Sequence, residues 1–443
     1  MCKPTILAVW FKTRPYQTNY GKEVNYMKRS EFLRAVSLTS MACFAGAIAK
    51  AVNKPRHILI VSGWQDVNIG DIAHTPGLLH ILQTFFPDSQ LTLWKKSRSE
   101  AVGEMLKGGF PNVRVIYGEV DRASAQVESP DVQEAFNQAD ILIHGSGPGL
   151  AGRYHIAAWQ KYTAKPFGVF GITLESINED VKAILSDASF IYVRERKSLG
   201  VLQSAGIQHT KIMFAPDATF WFNLLDEQKA TNCLKTNQLK EKAFICVIPR
   251  LRYTPYHKIR PGAKHWMGVS NEEVDAMNDQ WKEVDHAKLR EVMITWVRNT
   301  GNRVLVCPEM TYQVDIMDEL LIDPLPDDVK PFVAKRGYWL PDEAAAVYRQ
   351  SFAVISFECH SPILAAANDT PFIYLRQPQD TIKGQMYYDL GFDNWIYEIE
   401  QSEGEEIAAT VMAMWERTQE AGKELTRGTA AIRTIYQTAC AGI

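Results

Sequence analysis

From residue 57 the chain alternates short, wholly apolar runs with longer stretches in which apolar residues recur at three- and four-residue spacing. Short runs rich in β-branched and aromatic side chains predict strands buried on both faces, and the longer stretches predict helices. Strands are expected at 57–62 (HILIVS), 90–94, 113–117, 141–144, 167–171, 190–193 and 211–214, with helices between most of them, the first at 76–86. A polar segment, 226–242, has few large apolar residues and predicts a linker. The pattern then restarts with a strand at 244–248, a helix at 287–299, a strand at 303–307, a helix at 342–349, a strand at 352–357, a helix from 361 to 367 and a strand at 371–375. Alternation of this kind predicts an α/β protein of two Rossmann-like, doubly wound domains, 51–230 and 231–400. The last segment, 401–443, is helical in pattern over 405–436 and long enough to pack back on the first domain.

Residues 1–50 follow another pattern. From Met27 a basic start, Lys28-Arg29, leads into an apolar stretch over 35–49 that closes on Ala47-Ile48-Ala49. This is the layout of an export signal cleaved near Ala49, too short to span a bilayer, and no transmembrane helix is expected. Lys28-Arg29-Ser30-Glu31-Phe32-Leu33 resembles a twin-arginine signal with Lys in place of the first Arg, and Cys43 is an alternative acylation position. The expected location is exported or periplasmic, the alternative being the cytoplasmic face of the membrane.

Length and composition narrow the classes. The 443 residues exceed one ordinary core, and 46% hydrophobic with 22% charged residues is the balance of a soluble globular protein. With 48 basic against 51 acidic side chains the net charge is −3, so no global field recruits nucleic acid, and an anionic ligand must be held by local cations. The seven cysteines are widely spaced without a CxxC, which predicts neither a disulfide framework nor a structural zinc, and no metal is expected. Cys359 reads as a small buried residue at a strand end rather than a nucleophile.

The candidate chemistry gathers at strand ends. His360 falls at the turn from the 352–357 strand into the next helix, Arg376 ends the following strand, and Lys383 lies in the loop beyond. In open parallel sheets this edge is where ligands bind, and free N–H groups of a helix start favour anions there. Gly70 and Asp71 close the polar loop after the first strand. Gly145, Ser146 and Gly147 follow the 141–144 strand in HGSGPG, which has neither dinucleotide nor P-loop spacing. Arg194 opens a charged helix start, and Arg250 and Arg252 follow the 244–248 strand, offering planar forks for carboxylate or phosphate. Asp217 and Asp315 read as caps or turns, and Trp64, Trp221 and Trp266 as aromatics able to stack on sugar, although core packing accounts for each singly.

The ordered set NIGDIAHTPGLL, HGSGPGL, YVRERKSLGVLQSAGI, APDATF, CVIPRLR, CPEM and ISFECHSPILAAANDTPFIYL resembles the polysaccharide pyruvyl transferase family. The resemblance implies two Rossmann-like domains facing a cleft, as in glycosyltransferases of the B fold, and transfer of pyruvate from phosphoenolpyruvate to a hydroxyl pair of a saccharide as a ketal. It implies that His360 is the active-site histidine, Lys383 its downstream lysine, Arg250 the arginine ending the second domain's first strand, and Gly70-Asp71 the first-loop signature. The family usually carries Arg-Leu-His where this chain has Glu358-Cys359-His360, so a carboxylate replaces a cation, with Arg376 the candidate to compensate. Ketal formation requires a proton on the donor's methylene carbon and passage through an oxocarbenium-like species, and an imidazole general acid/base contributes about 10²–10⁴-fold to such traffic. Arg250, Arg252, Arg376 and Lys383 would hold carboxylate and phosphate, and Glu358 would orient His360 or an acceptor hydroxyl. Phosphoenolpyruvate would be a co-substrate, with no other cofactor, and the partner a saccharide acceptor. The alternative is an exported saccharide-binding or atypical saccharide-modifying protein of the same fold that does not use phosphoenolpyruvate, a cytosolic metabolite.

Overall fold

The wholly apolar runs become the strands of two parallel sheets. The computed structural model describes residues 57–443 apart from His209, Thr210, Lys264 and Trp266, so the expected leader and Trp266 lie outside the described residues. The first sheet has eight strands: β1 (His57–Ser62), β2 (Gln90–Lys95), β3 (Arg114–Ile116), β4 (Ile141–His144), β5 (Gly147–Pro148), β6 (Phe167–Thr173), β7 (Phe190–Val193) and β8 (Ile212–Phe214). Their order is β3-β2-β1-β4-β6-β7-β8, with β5 a short addition on β6. The second has six, β9 (Phe244–Ile248), β10 (Arg303–Val306), β11 (Val333–Lys335), β12 (Ala353–Ser356), β13 (Phe372–Arg376) and β14 (Ile396–Glu398), in the order β11-β10-β9-β12-β13-β14. All pairings are parallel, and β1, β4, β9 and β12 are buried along their whole length, as covered faces require. Strand order reverses between β1 and β4 and between β9 and β12. The crevices lie at the carboxyl ends of these strands.

Three helices differ from the pattern-based expectation, each for a local reason. The first, α1 (Ile69–Phe85), starts seven residues before the expected 76, because Asn68 is its N-cap and its side chain accepts from Gly70 N (2.7 Å) and Asp71 N (3.2 Å). Pro76 therefore sits inside the helix, and Gly70 and Asp71 belong to its first turn rather than to a loop. Residues 226–242 are not an extended linker: α2 (Glu227–Thr236) is capped by Asp226 and buries Ala230, Cys233 and Leu234, an i, i+3, i+4 stripe too small to stand out in a polar segment. The helix expected at 287–299 is α3 (Asn271–Thr300), extended at its start by a capping box between Ser270 and Glu273 and ended by Gly301 at φ 65°. Two further helices flank the second crevice, α4 (Pro341–Gln350) and α5 (His360–Ala367).

The carboxyl-terminal stretch breaks at Arg417 into α6 (Gly404–Glu416) and α7 (Thr418–Ala441). Helix α6 lies along α3 in the second domain, where Gly404 admits the α3 backbone. Helix α7 crosses to the first domain: Tyr436 Oη donates to Asp217 O (2.7 Å), and Tyr192 Oη donates to Ala439 O (2.8 Å). Among the described residues no helix is long and apolar enough to cross a membrane.

A candidate active site around His360

His360 is the first residue of α5, and its turn is fixed from several sides. Ser356 Oγ accepts from Glu358 N (2.9 Å) and donates to Glu358 O (2.8 Å), while Tyr387 Oη donates to Cys359 O. Glu309, fully buried after β10, accepts from Ser361 N (2.6 Å) and Ser361 Oγ (2.8 Å) and stands 3.1 Å from His360 Nδ1. The first domain reaches the same point. Ile69 N donates to Glu309 O (2.9 Å), and α1 lies so close that a Cβ on Gly70 would fall 2.2 Å from His360 Cγ. One turn later, His74 Nε2 is 3.1 Å from His360 Nε2 and 3.2 Å from Asp217 Oδ2, which accepts from Arg194 Nη1 at 2.5 Å. A buried line of groups, Glu309, His360, His74, Asp217 and Arg194, thus joins the two domains.

The charges along this line are set by their neighbours. Burial disfavours the imidazolium, yet contact with Cys359 and Glu309 holds His360 well above the usual histidine range. Glu309 is likewise held below the usual carboxylate range despite its burial, by His360 and the two bonds from Ser361. Asp217 is driven well below it by His74 and Arg194. An imidazolium at position 360 donates from Nδ1 to Glu309, and its Nε2 stands 3.1 Å from His74 Nε2; His74 Nδ1 has no hydrogen-bond partner and lies 4.0 Å from Asp71 Oδ1. His74, Asp217 and His360 also bring one ligand atom each within 4.8 Å of one another and could hold a cation. Arg194, on the same Asp217 oxygen, and the charge on His360 compete with one there.

A cleft of about 620 Å³ opens above this line, walled by both domains. Of the residues expected at the site, Asp71, Arg194, Arg250, Arg252, Glu358, His360 and Lys383 line it. Gly70 sits behind His360. Gly145, Ser146 and Gly147 lie beneath the wall: Ser146 Oγ accepts from Ala218 N (3.1 Å), and Trp64 Nε1 donates to Ser146 O (2.5 Å), while the following residues, Pro148 to Ala151, face the cleft. Arg376 does not reach it. Its guanidinium donates to Glu398 (2.7 Å) and Thr381 O (2.6 Å). Trp64 lines the cleft together with Tyr253 and Tyr256, which pack on His265, whereas Trp221 packs against Phe85 and Tyr436.

The cations of the second domain are already engaged. Arg250 pairs with Asp380 and, through Nε at 3.4 Å, with Glu358, and Lys383 is 3.8 Å from Asp380. Arg252 forks onto Asp285 (2.9 and 3.0 Å), reaches Glu400 (2.5 Å) and stacks on Trp281 at 3.7 Å. Glu358 Oε1 accepts from Gln313 Nε2 (2.8 Å), and burial lifts this carboxyl to about 7 against the pull of Arg250. Three residues were not singled out from sequence: Glu309, His74 and Asp380. Asp71 and His74 at i, i+3 in an otherwise apolar helix were the available signal for one of them.

The family model of the polysaccharide pyruvyl transferase matches residues 68–377. No curated protein matches the chain by sequence. Among solved structures, Anabaena HepE in complex with UDP-glucose is similar at 13% identity and a TM-score of 0.54, over 86% of this chain and 98% of that one. A glycosyltransferase from Rickettsia africae is similar at 13% identity and 0.52, over 87% and 99%, and the UDP-GlcNAc 2-epimerase of Neisseria meningitidis at 11% and 0.51, over 86% and 99%. These likenesses show the fold, two parallel-sheet domains arranged as in glycosyltransferases of the B type.

Proposed function

The chain belongs to the polysaccharide pyruvyl transferase family, and from that premise we propose that its cleft carries out pyruvate-ketal chemistry on a hydroxyl pair of a saccharide, with His360 moving the proton. The observation that carries this reading is the buried imidazole at the floor of a cleft built by both domains, 3.1 Å from Glu309 and held above the usual histidine range by Cys359 and Glu309. In the forward direction the donor is phosphoenolpyruvate. One hydroxyl adds to its central carbon as the methylene carbon takes a proton, phosphate leaves with its C–O electron pair, and the second hydroxyl closes the ketal, each hydroxyl proton passing to a base. His360 is suited to give the first proton and, once neutral, to receive one. Trp64, Tyr253 and Tyr256 provide aromatic faces for the sugar.

The test is incorporation of labelled pyruvate from phosphoenolpyruvate into a saccharide. His360→Ala abolishes it in protein that thermal melts show to be folded and that still binds saccharide; unchanged turnover in that variant rejects the assignment. A second reading, a saccharide-modifying protein of this fold that does not draw on phosphoenolpyruvate, is favoured by one observation: Arg376 is spent on Glu398 and does not reach the cleft to offset the carboxylate of Glu358 beside Arg250. The export expected from residues 27–49 agrees with that reading.

A further inference from the structure

At the cleft floor His360, Arg250, Lys383 and Arg194 stand against Glu309, Asp380, Asp217 and Glu358, so the floor carries at most one spare positive charge, and only when Glu358 holds its proton. Phosphoenolpyruvate would bring roughly three negative charges to this floor, a carboxylate and a phosphate whose second pKa is about 6. Buried anionic charge without an unpaired partner is costly. Arg153 and Arg260, the lining arginines that form no ion pair among the described residues, are exposed, on segments of opposite domains, and leave the balance at the floor unchanged. A pyruvate ketal brings its carboxylate alone.

We infer that the cleft accepts a saccharide already bearing pyruvate as a ketal and hydrolyses it, with Glu358 and His360, two residues apart on one turn, carrying the protons. This rests on the reading that the cleft handles pyruvate ketals. Gln313 and Arg250 both engage Glu358 through Oε1, and Glu358 lines the cleft. Burial keeps that carboxyl partly protonated near neutrality. The carboxyl of Glu358 gives its proton to one ketal oxygen as that C–O bond breaks, and the other ketal oxygen donates a lone pair to form the oxocarbenium. Water adds to the carbon and returns a proton to Glu358. The hemiketal then collapses: its hydroxyl proton is lost to solvent, the second C–O bond breaks, and that oxygen takes a proton from His360, which is recharged from solvent. One water is consumed, and the products are pyruvate and the free diol.

The experiment incubates the purified chain with methyl glucoside, galactoside and mannoside each carrying a pyruvate ketal, and reads pyruvate with lactate dehydrogenase and NADH. Pyruvate is expected without any phosphate donor. Glu358→Gln, which keeps the Gln313 bond, should slow release about 10²-fold, and Glu358→Arg should abolish it, with thermal melts reporting whether each variant folds. If neither variant folds, the wild-type product assay still decides. Phosphate release from phosphoenolpyruvate with ketal formation, and no pyruvate from the ketals, overturns the inference and upholds pyruvyl transfer. Activity in neither direction overturns both. Unchanged release in a folded Glu358→Gln variant overturns the part given to Glu358.

Discussion

Glu309→Gln removes one charge and almost no volume, which isolates the electrostatic hold on His360. The two groups are 3.1 Å apart, and both are buried. At an effective dielectric near 20 the bare attraction at this separation is on the order of 5 kcal/mol, and a hydrogen bond to a charged partner contributes a net of about 1.5–3 kcal/mol. A double-mutant cycle with His360→Asn should therefore give a coupling of about 2 kcal/mol. The single variant should cost about 3 kcal/mol or more, because it leaves a buried charge unpaired and an amide has one acceptor oxygen where the carboxylate uses two. The pH dependence has a definite sign. Glu309 is held low, so its contribution is present above the usual carboxylate value and lost as pH falls through the depressed one. His360 is held high, so its contribution is full below the usual imidazole value and lost as pH rises through the raised one. The coupling is thus largest at about pH 5–7 and shrinks on either side. Urea unfolding followed by tryptophan fluorescence measures it. Additivity within about 0.5 kcal/mol at pH 6, or a coupling that grows on acidification, refutes the reasoning.

Other substitutions probe the parts around this pair. Gly70→Ala places a Cβ on the imidazole and should lower stability by about 1–3 kcal/mol and displace His360, read as a lower thermal midpoint with lost turnover. Arg250→Met leaves Asp380 buried without its partner and should cost about 3–5 kcal/mol, whereas Arg376→Met, outside the cleft, should leave ligand binding unchanged by calorimetry. Glu358 is lifted to about 7, so its ionisation opposes folding above the usual carboxylate value; Glu358→Gln should gain stability relative to the wild type as pH rises from 5 to 8, measured by thermal melts. Tyr436→Phe removes the bond from α7 to Asp217 O and should cost about 0.5–1.5 kcal/mol in chemical denaturation.

The fold was legible because parallel strands covered on both faces leave continuous apolar runs, and β4, β7 and β9 fall on the expected residues. Helix starts were less so, since Asn68 and Ser270 act through side-chain caps that periodicity does not register. Of the candidate site, the turn residues that belong to one strand end could be picked out locally, His360 and Arg250 among them. The network that charges His360 could not: His74 meets it across 286 positions and Glu309 across 51, and a single polar residue in an apolar stretch carries no mark of its distant partner. Arg376 shows the converse. Its place at a strand end suggested the cleft, but Glu398 pairs beside it on the neighbouring strand β14 and draws it away.

The central claim is that His360 moves the proton in pyruvate-ketal chemistry at this cleft. Its most direct test follows the ketal methyl signal of a pyruvylated saccharide, and of the free saccharide with phosphoenolpyruvate, by proton NMR in the presence of wild type and His360→Ala. The signal should be lost or gained with the wild type and stay constant with the variant. Turnover by His360→Ala at the wild-type rate, in either direction, would contradict the claim.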